Sequence, residues 1–381
     1  MESLRYDMLD LQEIAFDEGK GKYTYFADND LLIAKVTPCF ENGNIAIAKN
    51  LKENIGFGSS EIFILRPNKK NSSRYMFYYV QTNDFRNNAC ATMCGVGGLK
   101  RISPLFMRTY ELDIPSLQVQ QRIVEYLDAK IAEIDKKIEL LGKKRDAYKR
   151  LKTATINRAV TRGLDEHVKL KDSGIEWLGE IPAHWETRRI KDFFTNVSGN
   201  GFKVEFQGNE QGDYPFYKVS DLNGETKEVS HAKNYVTKSI AAQESYNIIP
   251  AHSILFPKIG EALKKNYRRI NMDQCCVDNN CSALVIKDSH ICLNYAYYIM
   301  RCIDMSWFDN GGTIPSVCIS KLMSTSIPVP SFREQEFIVH YIDDRCAKID
   351  EAVTIIDKQI DALKRLKRSL INEVVTGKRM V

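Results

Sequence analysis

The chain has 381 residues, of which 44% are hydrophobic and 27% charged, an ordinary composition for a folded protein and enough for two domains with their own cores. Its formal net charge of +5 at pH 7 is mildly basic and by itself selects no class of partner. No apolar run approaches the roughly 18–20 residues that span a bilayer, and the N-terminal stretch lacks the basic-then-apolar order of a signal peptide, so we expect a cytoplasmic protein without a membrane partner.

Residues 1–113 are predicted to form a first mixed α/β module. The segment 31–44 begins with a short apolar run that is typical of a buried strand and continues into a polar turn. Lys35, Asn42 and Asn44 are the polar side chains of this segment that are candidates for contact with a binding partner. The glycine-rich sequence from Cys94 through Gly97 to Gly98 does not follow a strand–helix pattern, which favours a loop over a dinucleotide site.

Residues 114–163 are predicted to form one long helix. Apolar side chains recur at alternating steps of four and three, which is the seam of a coiled coil. The seam positions are Ile123, Leu127, Ile131, Ile134, Ile138, Leu141 and Tyr148. The alternative is a single amphipathic helix lying on one core, but the mean globular helix has only about 11–12 residues.

After a linker and opening motif at 164–184, residues 185–328 are predicted to form a second mixed module. Its segment from Ile254 parallels the segment from Leu31 and aligns Lys258 with Lys35. In the second module Lys258 lies 73 positions after Trp185, whereas only 34 residues precede Lys35 in the first. The first module is therefore expected to be shortened at its N-terminus by roughly 40 residues and to be the less stable of the two.

Two clusters in the second module suggest contacts with a polyanion. Four basic side chains surround a tyrosine within six residues, and such a run can contact successive phosphates, although a solvated loop is the alternative. A polar turn provides the second cluster. The candidate DNA contacts of this module are Asn200, Lys203, Lys258, Lys264, Lys265, Tyr267, Arg268 and Arg269.

Residues 329–381 repeat the first long helix. The stretches that begin at Pro115 and Pro330 are identical at 21 of 47 positions without a gap, and internal repetition on this scale indicates a doubled architecture. Arg145 breaks the seam where the second copy has Ile360, and a charged seam residue can set the register. The seam positions of the second copy are Ile338, Ile342, Ile349, Val353, Ile356, Ile360 and Leu363.

The predicted fold is α+β, with two mixed α/β domains separated by two long helices that pair as an antiparallel coiled coil in a pseudo-twofold repeat. The order module–helix–module–helix, the sequence WLGEIPAHWE from Trp177 to Glu186 and the helix starts of the PSxxxQ type resemble the specificity subunit of type I restriction–modification systems. The resemblance implies that each module is a target recognition domain for one half of a split double-stranded DNA sequence. It further implies that the helices dock two methyltransferase subunits, which restriction and translocase subunits then join.

The sequence offers no catalytic machinery of its own. It lacks a GxxxxGK[ST] loop for ATP, the Asn-Pro-Pro-aromatic motif of amino-methyltransferases and an acidic nuclease motif. The spacings of its ten cysteines are not those of zinc sites, so no metal centre is expected. The resemblance assigns S-adenosylmethionine, ATP and Mg²⁺ to partner subunits and makes this chain a non-catalytic subunit. The alternative function is a truncated or silent variant that acts as a scaffold or reads one half-site.

Overall fold

The computed structural model of the chain describes residues 3–13, 16–19, 21–96, 98–224 and 226–381. It divides into two compact units. Unit 1 consists of Met1–Arg145 and Thr354–Val381, and unit 2 consists of Asp146–Val353. Each unit therefore contains one mixed domain and one part of each long helix. Both long helices contribute side chains to the hydrophobic core of each unit.

Unit 1 is built on a three-stranded antiparallel sheet in which β4 (Leu31–Ala34) lies between β5 (Ile45–Ile47) and β7 (Ile62–Leu65). The strands are β1 (Leu4–Arg5), β2 (Met8–Leu9), β3 (Thr24–Phe26), β4 (Leu31–Ala34), β5 (Ile45–Ile47), β6 (Gly56–Gly58) and β7 (Ile62–Leu65). The helices are α1 (Phe16–Gly19), α2 (Ser73–Tyr79), α3 (Asn83–Ala91), α4 (Pro104–Thr109) and the first part of α5 (Leu117–Arg162), with a 3₁₀ turn at Lys52–Asn54. Gly97 lies outside the described residues, and its neighbour Cys94 forms an isolated β-bridge with Arg101.

Unit 2 contains a five-stranded sheet with the order β11-β18-β15-β16-β13 and a three-stranded sheet with the order β14-β12-β17. The strands are β8 (Leu170–Asp172), β9 (Glu180–Pro182), β10 (Glu186–Arg189), β11 (Phe194–Ser198), β12 (Tyr214–Tyr217), β13 (Glu228–Val229), β14 (Tyr235–Val236), β15 (Ile254–Pro257), β16 (Arg269–Asn271), β17 (Cys276–Val277), β18 (Cys281–Ile286) and β19 (Ser326–Val329). The helices are α6 (Ile190–Phe193), α7 (Lys238–Gln243), α8 (Leu293–Cys302), α9 (Ile319–Ser324) and α10 (Phe332–Val375). Three further 3₁₀ helices lie at Val204–Phe206, Glu261–Lys265 and Met305–Phe308.

The two units share one core arrangement. In unit 1, Leu31 of β4 pairs with Ile47 on one side and Leu65 on the other. In unit 2, Ile254 of β15 pairs in the same way with Ile270 and Leu284. Strands β5, β4 and β7 are thus the counterparts of β16, β15 and β18. This register confirms the sequence alignment that placed Lys35, after β4, opposite Lys258, after β15.

The two long helices, α5 and α10, lie within the segments 114–163 and 329–381 that the sequence predicts to be helical. Gly163 and Gly377 follow the last turns with φ near +70°, the left-handed conformation that commonly ends a helix and that glycine adopts without strain. Within each unit the two helices run antiparallel. In unit 1, Asp135 pairs with Lys367 at 2.8 Å and Arg145 with Asp357 at 3.3 Å.

In unit 2, Lys152 pairs with Asp350 at 2.7 Å, in the same antiparallel sense. Arg145, the charged interruption of the seam, is half-buried and uses its guanidinium group for the ion pair with Asp357. The other predicted seam side chains are buried or half-buried, and several of them lie in the hydrophobic cores of the two units.

A buried glutamine attaches each domain to its long helix. The Gln120 side chain accepts a hydrogen bond from the N–H of Ser72, the residue that caps α2, and donates to Pro115 O. Gln335 accepts in the same way from Cys292 N at 2.7 Å, at the start of α8, and donates to Pro330 O. Both glutamines are fully buried, so each hydrogen bond forms away from water, where an unmade bond is costly.

A tyrosine–aspartate hydrogen bond provides a second attachment in each unit. Tyr78 of α2 donates to Asp128 of α5, and Tyr298 of α8 donates to Asp343 of α10. The two aspartates occupy equivalent positions of the repeated helices. Each also accepts from a basic side chain of its own unit, so the same residue types hold both domains on their helices.

The core of unit 2 is organised around Trp185. Its indole is fully buried beside Gly163 and donates to Glu334 at 2.9 Å, so that it joins the end of α5 to the start of α10. Val119 occupies the position equivalent to Glu334 in α5, and it has no carboxylate to accept such a bond. The opening motif 177–186 is thus a structural element of unit 2.

Candidate nucleic-acid interface

Several loops of unit 2 meet at the end of β15 where Lys258 lies. We call residues 199–201, 258–266, 278–280 and 309–316 the strand-end loops. Backbone hydrogen bonds connect them: Asn200 N to Val277 O, Lys258 N to Asn280 O, Gly260 N to Pro315 O and Val317 N to Lys258 O, all between 2.8 and 3.0 Å. A Cβ on Gly199 would overlap the Asp278 carbonyl, so glycine permits this close approach of two loops.

Lys258 is half-buried among the strand-end loops. Burial lowers the pKa of its ammonium group, while Cys281 and Asp278 act in the opposite direction. Burial also raises the pKa of the Asp278 carboxyl group. This lysine has lost part of its hydration before any ligand arrives, which favours contact with an anionic group.

The basic run divides into an exposed and a buried part. Lys264 and Lys265 are exposed at the end of a 3₁₀ helix, where Lys264 pairs with Glu261 at 2.8 Å, and Tyr267 is half-buried. In contrast, Arg268 and Arg269 are only 3% and 4% exposed. The run is therefore not the continuous basic surface that the sequence suggested.

The two buried arginines have partners inside unit 2. Arg268 donates to the carbonyl oxygen of Tyr267 and to the side chain of Asn266, and burial lowers its pKa to about 9. Arg269 donates to the carbonyl oxygens of Leu222 and Asn223 at 3.2 and 3.0 Å, and to Thr226. Arg269 thus holds the loop before β13 through its backbone carbonyl groups, and Arg268 is bound to its own loop through Tyr267 and Asn266.

The polar turn at residues 198–203 is also tied to its surroundings. The Asn200 amide oxygen accepts from Asn247 N at 2.8 Å, which aligns this turn with the loop before Ile249. Lys203 pairs with Glu244 at 2.8 Å, and this carboxylate raises the pKa of the lysine. Asn200 lies among the strand-end loops, whereas Lys203 lies at the start of the next segment.

Sequence reasoning missed the loop 309–316. The Asp309 carboxylate accepts from Gly311 N and Ser316 N, and Asn310 donates to Ser316 Oγ at 3.2 Å, so the loop is ordered by its own polar groups. Ile314 at its tip is 65% exposed. The adjacent glycines Gly311 and Gly312 were a turn signal, but only the fold brings this loop beside Lys258.

Unit 1 presents the same framework with different side chains. The Lys35 ammonium group donates to Ser60 O at 2.7 Å and lies 4.8 Å from the Phe63 ring centroid. Asn42 is exposed and Asn44 half-buried in the loop that follows. Arg101, the counterpart of Ser316, pairs with Glu61 at 2.8 Å. The candidates of unit 1 thus occupy the same end of the sheet as those of unit 2.

These loops can supply two kinds of contact with nucleic acid. Exposed lysines can contact phosphate groups, which positions a protein without reading the sequence. Asparagine, serine and threonine side chains on ordered loops can exchange hydrogen bonds with base edges. In the part of the chain that the structure describes, no helix is both long and apolar enough to cross a membrane. The same residues contain no group of three or more metal-ligating side chains arranged to hold an ion.

Comparison with known proteins identifies the family. The family model described as type I restriction modification DNA specificity domain matches residues 11–141 and 182–365, and the chain belongs to this family. The two matched segments contain the domains of both units, including the strand-end loops.

Individual relatives agree with this assignment. The specificity subunit of the type I restriction enzyme EcoEI from Escherichia coli is 36% identical over 32% of this chain and 21% of its own length. The EcoAI specificity subunit from the same organism is 38% identical over 28% of this chain and 18% of its own length. The chain therefore spans about a fifth of these two relatives. A putative MjaX specificity subunit from Methanocaldococcus jannaschii is 22% identical over 92% of this chain and 78% of the relative.

Solved structures share the fold. A chain from a study of complex assembly and conformational transition of the type I R-M system superposes with a TM-score of 0.75 at 14% identity, over 97% of this chain and 87% of that chain. The HsdS subunit from Thermoanaerobacter tengcongensis superposes with a TM-score of 0.54 at 15% identity, over 99% and 89%. These similarities support the α+β fold with two long helices.

Proposed function

We propose that this chain is the DNA sequence-recognition subunit of a type I restriction–modification complex and that it binds a bipartite double-stranded target. The observation that carries the proposal is the family match to the domains of both units. The strand-end loops of unit 2 and the loop that follows Lys35 in unit 1 lie at the same end of equivalent sheets, but they differ in length and side chains. Two related frameworks with different loops are suited to reading two different half-sites.

The chain acts without catalysis of its own in this proposal. Two methyltransferase subunits dock on it and supply S-adenosylmethionine, and restriction and translocase subunits supply the ATP- and Mg²⁺-dependent steps. In this proposal the complex acts on DNA in the cytoplasm. The long helices contribute the docking surfaces, because the side chains outside their seams are exposed along most of their length.

Selection from random duplex DNA tests the proposed recognition. The chain is purified with its methyltransferase subunits, bound DNA is recovered, and the enriched sequences are read. We expect a motif in two parts separated by a spacer of constant length. Binding without any sequence preference would contradict the proposal.

A scaffold or one-half-site binder is the second candidate. It is favoured by the sheet of unit 1, in which β7 pairs only with β4 among the described residues, whereas its counterpart β18 is covered on both sides. Under this alternative, the same selection enriches a one-part motif, and methylated adenines mapped in cells that express the chain lie in one half-site or in none.

Removing the two exposed lysines of unit 2 should weaken DNA binding. We expect Lys264→Ala with Lys265→Ala to reduce affinity by roughly tenfold and to lower the slope of log affinity against log salt concentration by about 1–2, because each phosphate contact releases a counterion. Filter binding or fluorescence anisotropy at several salt concentrations measures both quantities.

The matched control for this pair removes the same charge at the opposite end of β18. Lys191 and Lys287 are exposed there, and Lys287 N donates to Phe193 O. Lys191→Ala with Lys287→Ala should leave the affinity and the salt slope unchanged. Equal losses in both double variants would point to a general charge effect and against an interface at the strand-end loops.

A further inference from the structure

One continuous segment covers the edge of the sheet in unit 2. Strand β11 pairs antiparallel with β18 over five residues, and β10 pairs with β19 over four. Both covering strands come from residues 186–198, joined by the short helix α6. The segment thus closes the main sheet and also fixes the strand that leads into α10.

The equivalent edge of unit 1 is open. Strand β7, the counterpart of β18, pairs with β4 alone among the described residues. Residues 111–114 correspond to β19 and form no strand. We call β7 together with residues 111–114 the open edge. In unit 2, the segment 186–198 pairs with the counterparts of both parts of the open edge, β18 and β19.

Apolar side chains along the open edge are incompletely buried. Leu284, Leu322 and Ile327 of unit 2 are fully buried in the cluster that contains Ile190, Phe193 and Phe194 of the covering segment. Their counterparts in unit 1 are half-exposed; these are Leu65, Met107 and Leu112. A segment with apolar residues at the positions of Ile190, Phe193 and Phe194 would cover them, which is favourable by the area removed from water.

A buried tyrosine independently indicates that a strand is missing beside residues 111–114. Tyr295 donates a hydrogen bond to Pro328 O of β19 at 3.0 Å. Its counterpart Tyr75 is also fully buried, yet its hydroxyl group has no partner among the described residues. The residue equivalent to Pro328 is Asp113, which lies in the unpaired part of the open edge. Pairing of residues 111–114 with an added strand would place a carbonyl group where the Tyr75 hydroxyl group can use it.

We propose that the open edge of unit 1 binds a strand–turn–strand segment of a second polypeptide, with the chemistry of residues 186–198 of this chain. Its second strand adds to β7 and its first strand pairs with residues 111–114. Main-chain hydrogen bonds provide most of the recognition in this mode of binding, and the apolar side chains of the turn provide the rest. An exposed strand edge without such a partner is prone to unwanted pairing.

Hydrogen exchange of the full chain with a synthetic peptide of residues 186–198 tests this proposal. In the free chain, the amides of Ile64 and Arg66, which face away from β4, should exchange much faster than those of their counterparts Ala283 and Val285, which face β11. Saturating peptide should slow them about tenfold or more and leave the amides of β18 unchanged, because that edge is already occupied. The matched control is the same peptide with Thr195→Pro and Val197→Pro, which removes two donors of the added strand.

Three outcomes would overturn the proposal. The first is that the outward-facing amides of β7 are as protected in the free chain as their counterparts in β18. The second is that the two peptides have the same effect or none. The third is that protection depends on protein concentration alone, which would identify a second copy of the chain as the occupant. The pair Tyr75→Phe and Tyr295→Phe gives a second measurement. Tyr295→Phe should destabilise unit 2, whereas Tyr75→Phe should leave unit 1 at least as stable and weaken its binding of the peptide.

Discussion

Replacing Gln335 with alanine is expected to lower the free energy of unfolding of unit 2 by about 2–4 kcal/mol, because buried polar groups lose their partners. The groups left without a partner are the N–H of Cys292 and the carbonyl oxygens of His290 and Pro330. Cys292 caps α8, so the loss also loosens the attachment of this helix to α10. Denaturant unfolding monitored through Trp185, together with hydrogen exchange of α8, measures the effect.

Two comparisons make this prediction specific. Gln359 lies on the same helix and is exposed, so Gln359→Ala should change stability by less than about 0.5 kcal/mol. Gln120→Ala should act on unit 1 as Gln335→Ala acts on unit 2, since Gln120 has the same arrangement at the start of α2. If Gln335→Ala were as mild as Gln359→Ala, the glutamine would not be the attachment that its contacts suggest.

Arg269→Ala is expected to cost unit 2 about 3 kcal/mol, because one buried and two partly buried hydrogen bonds to carbonyl groups are lost and a large buried side chain is removed. The affected carbonyls belong to Leu222, Asn223 and Thr226, which form the loop before β13. Arg269→Lys should restore only part of the stability, since one ammonium group cannot replace the branched donors of a guanidinium group. Thermal unfolding of the two variants measures both effects.

Lys265→Ala is the matched control for the buried arginine. Lys265 lies four residues earlier in the same basic run and is exposed, so its removal should leave the stability nearly unchanged. Lys265 is expected to influence DNA affinity, and Arg269 to influence folding. A stable, fully folded Arg269→Ala variant that only loses DNA affinity would reverse these roles.

The doubled architecture could be predicted from local sequence patterns. The repeated seam predicted both long helices, since a heptad period is a property of consecutive residues and needs no tertiary information. The equivalence of Lys35 and Lys258 also followed from the sequence, because each lysine comes directly after an apolar strand of the same core sheet.

The roles of single polar residues could not be predicted in this way. From the sequence, all four basic side chains of the run are equally good candidates for contact with DNA. In the structure, strand β16 begins at Arg269, and the side chain of this arginine points into the loop before β13. The loop 309–316 was overlooked because it is about fifty residues from Lys258 in sequence and reaches it only through hydrogen bonds with residues 258–260. Such contacts between distant segments depend on topology.

The sequence by itself determined that this chain carries two related modules, each followed by a copy of one long helix, because periodicity and repetition are written in neighbouring residues. Only the tertiary structure decided which charges face solvent, which glutamines and tyrosines attach the domains to the helices, and which sheet edge is open. The physical reason is that burial and hydrogen-bond partners are set by residues far apart in the chain, and the free energy of a polar group depends on those partners.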